Sequence, residues 1–197
     1  MKTTTIAAAI VLGAAPFIVE ALGRHTYALV QKEVVTYTVD YVQPPSTVAG
    51  LWDHSNAVVR GKVLARKAEA AQKPGADIGT ARVSTLLTIE LSEVLKPNEH
   101  IPLNASTIDI VQAAGELDIG TKVVRVDGGY DPLVPESEYI LFLEWNQGLQ
   151  HFEIAYGPDG TFLLRNGLIE TPARNDPGGR LQKTPVASFL QVIRALQ

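Results

Sequence analysis

The 197-residue sequence contains no cysteine. That absence excludes disulfides, thiolate metal sites, a cysteine nucleophile and a bacterial lipid-anchor cysteine in one step. Bases are also in short supply: 17 Lys and Arg stand against 21 Asp and Glu, leaving a formal charge of −4. A general nucleic-acid binder needs a basic surface to displace counterions from phosphates, so nucleic acid is not expected as a partner. The four histidines (His25, His54, His100 and His151) lie in separate segments, with no HExxH pattern and no metal-ligand spacing between them. GxGxxG loops, internal repeats and heptad runs are missing too. The expectation is a protein with neither metal nor cofactor.

What is present starts with a targeting pattern. Lys2 and the apolar run 6–19 precede small residues at Ala21 and Gly23, which reads as a signal peptide over 1–23 cleaved before Arg24. Glu20 ends the run short of a spanning length and Pro16 lies inside it, so an N-terminal membrane anchor is the alternative. On this reading the protein is exported, periplasmic or extracellular, with no stable span after cleavage. Residues 24–45 form an N-terminal extension with one strand, and 46–197 form a single domain.

Strand alternation dominates that domain. VVTYTVDYV (34–42) places Val35, Tyr37, Val39 and Tyr41 on one face, and QPP (43–45) stops it. STVAGLWDHS (46–55) reads as a short helix capped by Ser46. In NAVVRGKVLARK (56–67), Ala57, Val59, Gly61, Val63 and Ala65 share a face of small residues, as the inside of a tightly curved sheet requires. Residues 67–81 read as a loop, and 82–96 as a long strand whose alternation slips near Glu93. STIDIVQ (106–112) and TKVVRVD (121–127) are further strands. In SEYILFLEW (137–145) both faces are apolar, so something must cover the outside of the sheet there. After HFEIAY (151–156) and the turn GPDG (157–160), Asn166-Gly167 marks a hairpin. A loop over 172–183 leads to an amphipathic helix over 184–197. Thr184 is read as its cap, and Val186, Phe189, Leu190, Ile193 and Leu196 make the stripe that could cover 138–145.

The fold class expected is mainly β: a small antiparallel OB-like β-barrel, with a short helix before the first core strand and a C-terminal amphipathic helix. The order of DHSNAVVRGKV, LLTIELSEVLKPN, a glycine-bearing strand pair and VPESEYILFLEW with a final hairpin carries a resemblance over residues 46–170. It resembles the barrel of the tissue inhibitors of metalloproteinases and netrin-type modules, which are OB-fold variants. It is also similar to bacterial exported proteins of unknown function. The resemblance implies a compact barrel that offers loops or a sheet face to a partner. Those inhibitors chelate the protease zinc through an N-terminal cysteine, which this chain lacks, so inhibition of metalloproteases is not implied.

Candidate sites are sparse. Asp53-His54-Ser55 has the letters of a triad, but adjacent residues at a helix end point in different directions. Glu90, Glu93 and Glu144 read as solvated strand-face acids; a carboxylate pair among them would make a hydrolase. Arg60, Lys62 and Arg66 make a small basic stripe without an aromatic residue for base stacking. Asn104-Ala105-Ser106 is a glycosylation sequon. VDGGYDP (126–132) falls short of an EF-hand loop and reads as a long hairpin loop. It is the leading partner-binding candidate, through Asp127, Tyr130 and Asp131, with Tyr130 as anchor. The functional expectation is an exported, non-enzymatic barrel that binds a protein or cell-envelope component. A hydrolase with a dispersed carboxylate site and a carrier of a small apolar ligand are the alternatives.

Overall fold

The computed structural model describes residues 32–39, 41–71, 82–120, 122–171 and 181–197. The signal reading over 1–23, His25 and the loop readings at 72–81 and 172–180 lie outside them. The protein is mainly β, built on a closed five-stranded barrel compatible with an OB-like fold. Around the barrel run β2 (Ala57–Ala71), β3 (Arg82–Lys96), β4 (Thr107–Gln112), β8 (His151–Ile154) and β7 (Glu138–Asn146), which returns to β2. Neighbours are antiparallel except at the β4–β8 seam, where Ile110 faces Phe152 in parallel register. The remaining strands are β1 (Glu33–Thr38), β5 (Gly115–Asp118), β6 (Lys122–Asp127) and the hairpin of β9 (Thr161–Arg165) with β10 (Leu168–Glu170). Two helices, α1 (Val48–His54) and α2 (Val186–Arg194), complete the fold.

The stretch NAVVRGKVLARK (56–67) does curve a barrel wall. Ala57, Val59 and Val63 face the barrel core, and a Cβ on Gly61 would sit 2.4 Å from the carbonyl oxygen of Glu90 and 2.6 Å from Ile89. Glycine is there because β3 passes too close for any side chain. Ala65 departs from the expected face. The register shifts between Val63 and Ala65, and a bulge turns the following side chains over, which leaves Ala65 exposed. The slip read near Glu93 is also real: Val59 pairs with Val94 but Val58 with Lys96. Leu95 is skipped, and its side chain packs into the outer apolar layer.

Strand β7 is covered on both faces, as its sequence requires. Tyr139, Leu141 and Leu143 belong to the barrel interior. Ile140 and Phe142 belong to a second layer with Leu51 and Trp52 of α1, Phe162 of β9, and Phe189, Leu190 and Ile193 of α2. Two T-shaped or tilted contacts link Phe142, Phe162 and Phe189, with centroids 5.6 and 4.9 Å apart. α2, together with α1 and Phe162, therefore forms the cover that 137–145 called for. Lys96 locks α1 onto the barrel: its ammonium donates to the carbonyls of Trp52 (2.6 Å) and Ser55 (2.7 Å) at the helix end.

Several boundaries differ from the sequence reading. The N-cap of α1 is Thr47, whose hydroxyl accepts from Gly50 N at 3.0 Å; Ser46 is not the cap. α2 begins at Val186 after Pro185, with no side-chain cap from Thr184. Residues 67–71 extend β2 where a loop was expected, so β2 and β3 continue past the barrel as a ribbon. The first strand ends at Thr38, which frees Tyr41 to turn toward the barrel. Residues 126–132 are not a hairpin loop: β6 pairs with β5 and, in parallel, with β1. This three-stranded sheet packs Val124 and Val126 against Val83 of β3.

Candidate binding site

The barrel has two ends of different chemistry. At the upper end β7 starts and β4 and β8 finish; at the lower end β2 starts and β3 and β7 finish.

The segment that follows β6 closes the upper end. Tyr130 (4% exposed) and Leu133 (2%) enter the interior cluster, joined by Tyr41. The rings of Tyr41 and Tyr130 meet edge-on with centroids 6.4 Å apart. Tyr41 fills its place so fully that a Cβ on Gly157, held at φ +58°, would lie 2.4 Å from its ring. Buried Gln112 holds the segment down: its Oε1 accepts from Leu133 N (3.0 Å) and its Nε2 donates to Asp131 O (3.4 Å). Tyr139 Oη accepts from Val134 N at 3.1 Å. The hydroxyl of Tyr130 has no hydrogen-bond partner among the described residues. Burial pushes the Tyr41 hydroxyl up to about 12 and that of Tyr130 well above its ordinary value.

This placement changes the role of the expected anchor. Tyr130 points inward and acts as a stopper. Asp127 and Asp131, its companions in the sequence reading, are exposed. Asp127 Oδ1 accepts from Gly129 N at 2.9 Å, forming the turn that sends Tyr130 into the barrel. A partner at this end would meet two carboxylates and not an aromatic side chain.

The basic stripe does not act as a unit either. Arg60 makes a two-pronged contact with Glu138 (2.8 and 3.2 Å), and Lys62 pairs with Glu136. Arg66 is exposed. Of the carboxylates considered for hydrolysis, Glu93 is engaged by Arg194 at 2.8 Å, whereas Glu90 and Glu144 stand exposed on β3 and β7. His54 contacts its own helix through Gly50 O (2.8 Å), and His151 contacts Glu153 (3.2 Å). Among the described residues no group of three or more His, Asp and Glu is arranged to hold a metal ion. None of their helices is long and apolar enough to cross a membrane.

At the lower end the structure brings together residues the sequence did not single out. An open groove of about 520 Å³ lies between the start of β2, the β3–β4 turn and the β7–β8 turn. These contribute Asn56; Asn98, Glu99 and His100; and Trp145, Gln147 and Gln150. The His100 ring lies flat on Trp145, with centroids 3.9 Å apart and planes 14° from parallel. Trp145 in turn meets Phe152 of the core edge-on at 4.9 Å. Asn56 Oδ1 accepts from Trp145 N (2.7 Å), and Asn98 Oδ1 accepts from His100 N (2.9 Å). Asn146 Oδ1 accepts from Leu149 N (3.1 Å), fixing the third wall. No motif announces such a site, because its residues come from three turns and most are ordinary turn amides.

Compared with protein-family models and with curated proteins, the sequence matches none. What the structure supports of the likeness is a closed five-stranded barrel compatible with an OB-like fold.

Proposed function

We propose that the protein is an exported, non-enzymatic β-barrel module that binds a protein or cell-envelope component through the loops at its barrel ends. The observation that carries this reading is the filled interior. Leu87, Ile89, Ile110, Leu141 and Leu143 are fully buried inside the barrel, and Tyr130 and Leu133 close it above. Side chains that occupy the interior in this way favour recognition outside the barrel over a carried apolar ligand. Recognition then falls to loops held by a rigid wall. The carboxylates of Asp127 and Asp131 offer one such face, suited to a basic partner.

The test is capture with the full chain immobilised, using envelope and secreted fractions of the source cell and quantitative mass spectrometry. A saturable partner, lost in the Asp127→Asn/Asp131→Asn double variant or in His100→Ala, is the expected outcome. The two variants report on the upper and lower ends separately. Turnover of an ester or glycoside by the purified chain, abolished by Glu90→Gln or Glu144→Gln, would replace this reading with the hydrolase.

A further inference from the structure

The lower groove is lined mostly by uncharged side chains, whereas ion pairs such as Arg60–Glu138 and Arg125–Glu116 mark other parts of the surface. Carboxamides predominate on its walls: Asn56, Asn98, Gln147 and Gln150, beside one carboxylate, Glu99, and the stacked rings of His100 and Trp145.

Each feature narrows the ligand. Among the described residues the lining holds no Lys or Arg, so a phosphate or sulfate group would find no permanent counter-charge and would meet Glu99. One carboxylate and one imidazole are fewer protein ligands than a dedicated divalent-cation site ordinarily uses. A wall this rich in amides does not suit a lipid chain, because its polar groups would lose water without gaining partners. A neutral, polyhydroxylated molecule with a flat C–H face fits all three features. The carbonyls of Asn56 and Asn98 and the Gln150 amide already serve the turns, which leaves the Asn56 amide and the Gln147 carboxamide to match hydroxyls that both donate and accept. The ring ledge supplies an apolar surface for the C–H face. The groove's volume of about 520 Å³ lies within the ordinary range for small-ligand sites.

The groove is also preorganised. Besides the bonds to Trp145 N, His100 N and Leu149 N, Gln150 Nε2 donates to Gln147 O at 2.6 Å within the β7–β8 turn. Trp145 is anchored through Phe152 to the barrel core. Little ordering therefore remains to oppose a ligand.

We infer that the lower groove is a saccharide-binding site that takes a neutral oligosaccharide against the His100–Trp145 ledge. The inference rests on the binding-module reading and deepens it, making the envelope component a glycan.

The chain holds two tryptophans, and only Trp145 lines the groove; Trp52 is buried on the inner face of α1 and serves as an internal control. Indole N–H resonances of the full-length protein are followed by NMR during titration with cellotriose, maltotriose and triacetylchitotriose. A sulfated disaccharide and spermidine serve as charged probes. A saturable shift of Trp145 alone with at least one neutral trisaccharide is expected, with a dissociation constant on the order of 1 mM, as suits an open groove. His100→Ala should weaken that binding about tenfold, and Glu99→Gln should leave it within about twofold, since no charge is recognised. Should His100→Ala lose the fold, Gln150→Ala carries the same expectation of weakening. Absence of a saturable Trp145 shift with every neutral sugar overturns the inference. So does saturation by spermidine or the sulfated probe alone. The capture experiment does not depend on this titration, so failure of the glycan assignment and failure of the binding-module reading are distinguishable.

Discussion

The two ends of the barrel are made from the same five strands and are finished in opposite ways. The upper end is closed by aromatic and aliphatic side chains from one segment, Tyr130 and Leu133, backed by Tyr41. The lower end is left open, lined by amides from three turns around the His100–Trp145 stack. Burial of apolar area makes the first end a source of stability. Exposed amides and half-covered rings contribute little to stability, but they present hydrogen-bonding groups to solvent. On this comparison, folding free energy depends chiefly on the upper end, and the saccharide binding proposed above on the lower one. Damage to one end should be read out in stability, and damage to the other in binding.

The largest break in that comparison is Leu133→Ala. Leu133 is 2% exposed at the mouth of the interior cluster, and truncating it leaves a cavity among side chains that cannot all collapse inward. A loss of about 2–5 kcal/mol of unfolding free energy is expected, measured by urea denaturation of the full chain. A loss below about 0.5 kcal/mol would mean that the segment is a loose lid and that the asymmetry between the ends is wrong.

Alkaline pH provides a second, somewhat smaller break at the same end. Tyr41 ionises near 10.0 when unfolded and at about 12 in the fold, chiefly because burial disfavours the phenolate. The folded state thus holds its proton more tightly. The stabilisation is fully present below pH 10 and is lost as pH rises from 10.0 to about 12. Allowing for the part of Tyr41 that remains in water, the loss is about 2 kcal/mol. Tyr130 shifts in the same direction and steepens the decline. Denaturation midpoints across this range, together with phenolate absorbance, check the claim. Tyr41 and Tyr130 should titrate late, coincident with unfolding.

The same contrast explains what the sequence made legible. Regular alternation reports burial directly, so β7 with its two apolar faces required a cover, and the α2 stripe of Phe189, Leu190 and Ile193 is part of it, beside α1 and Phe162. Gly61 was readable because its neighbours on one face were all small. Asn166-Gly167 was readable because hairpin turns demand particular residues. What failed was anything decided by direction or by distance along the chain. A bulge after Val63 reversed the face of Ala65. The Gly-Gly-Tyr-Asp segment looked like a displayed loop, yet the Asp127 turn and Gln112 send its tyrosine inward. β5 is four residues long, and its pairing with β6 leaves no periodic trace over so short a span. The lower groove was illegible for a further reason: its wall residues are individually unremarkable, and only closure of the barrel brings residues 56, 98–100 and 145–150 to one place.

The smallest expected effect is the one that sharpens the comparison most. His100 lies on Trp145 at the lower rim and makes no buried hydrogen bond through its ring; its acidic neighbour Glu99 stands 3.6 Å away and is largely exposed. An aromatic contact of this kind contributes roughly 0.5–1.5 kcal/mol when well packed, and half-exposed rings fall at the lower end of that range. His100→Ala should therefore cost under about 1 kcal/mol in the same urea measurement, while changing the Trp145 indole resonance in the unliganded protein. A cost approaching that of Leu133→Ala would show that the stack is part of the core, and the lower end would then be a second plug. A small cost with an altered Trp145 environment would leave the stack as what its exposure suggests: a ring surface held in place by its neighbours and kept available to a ligand.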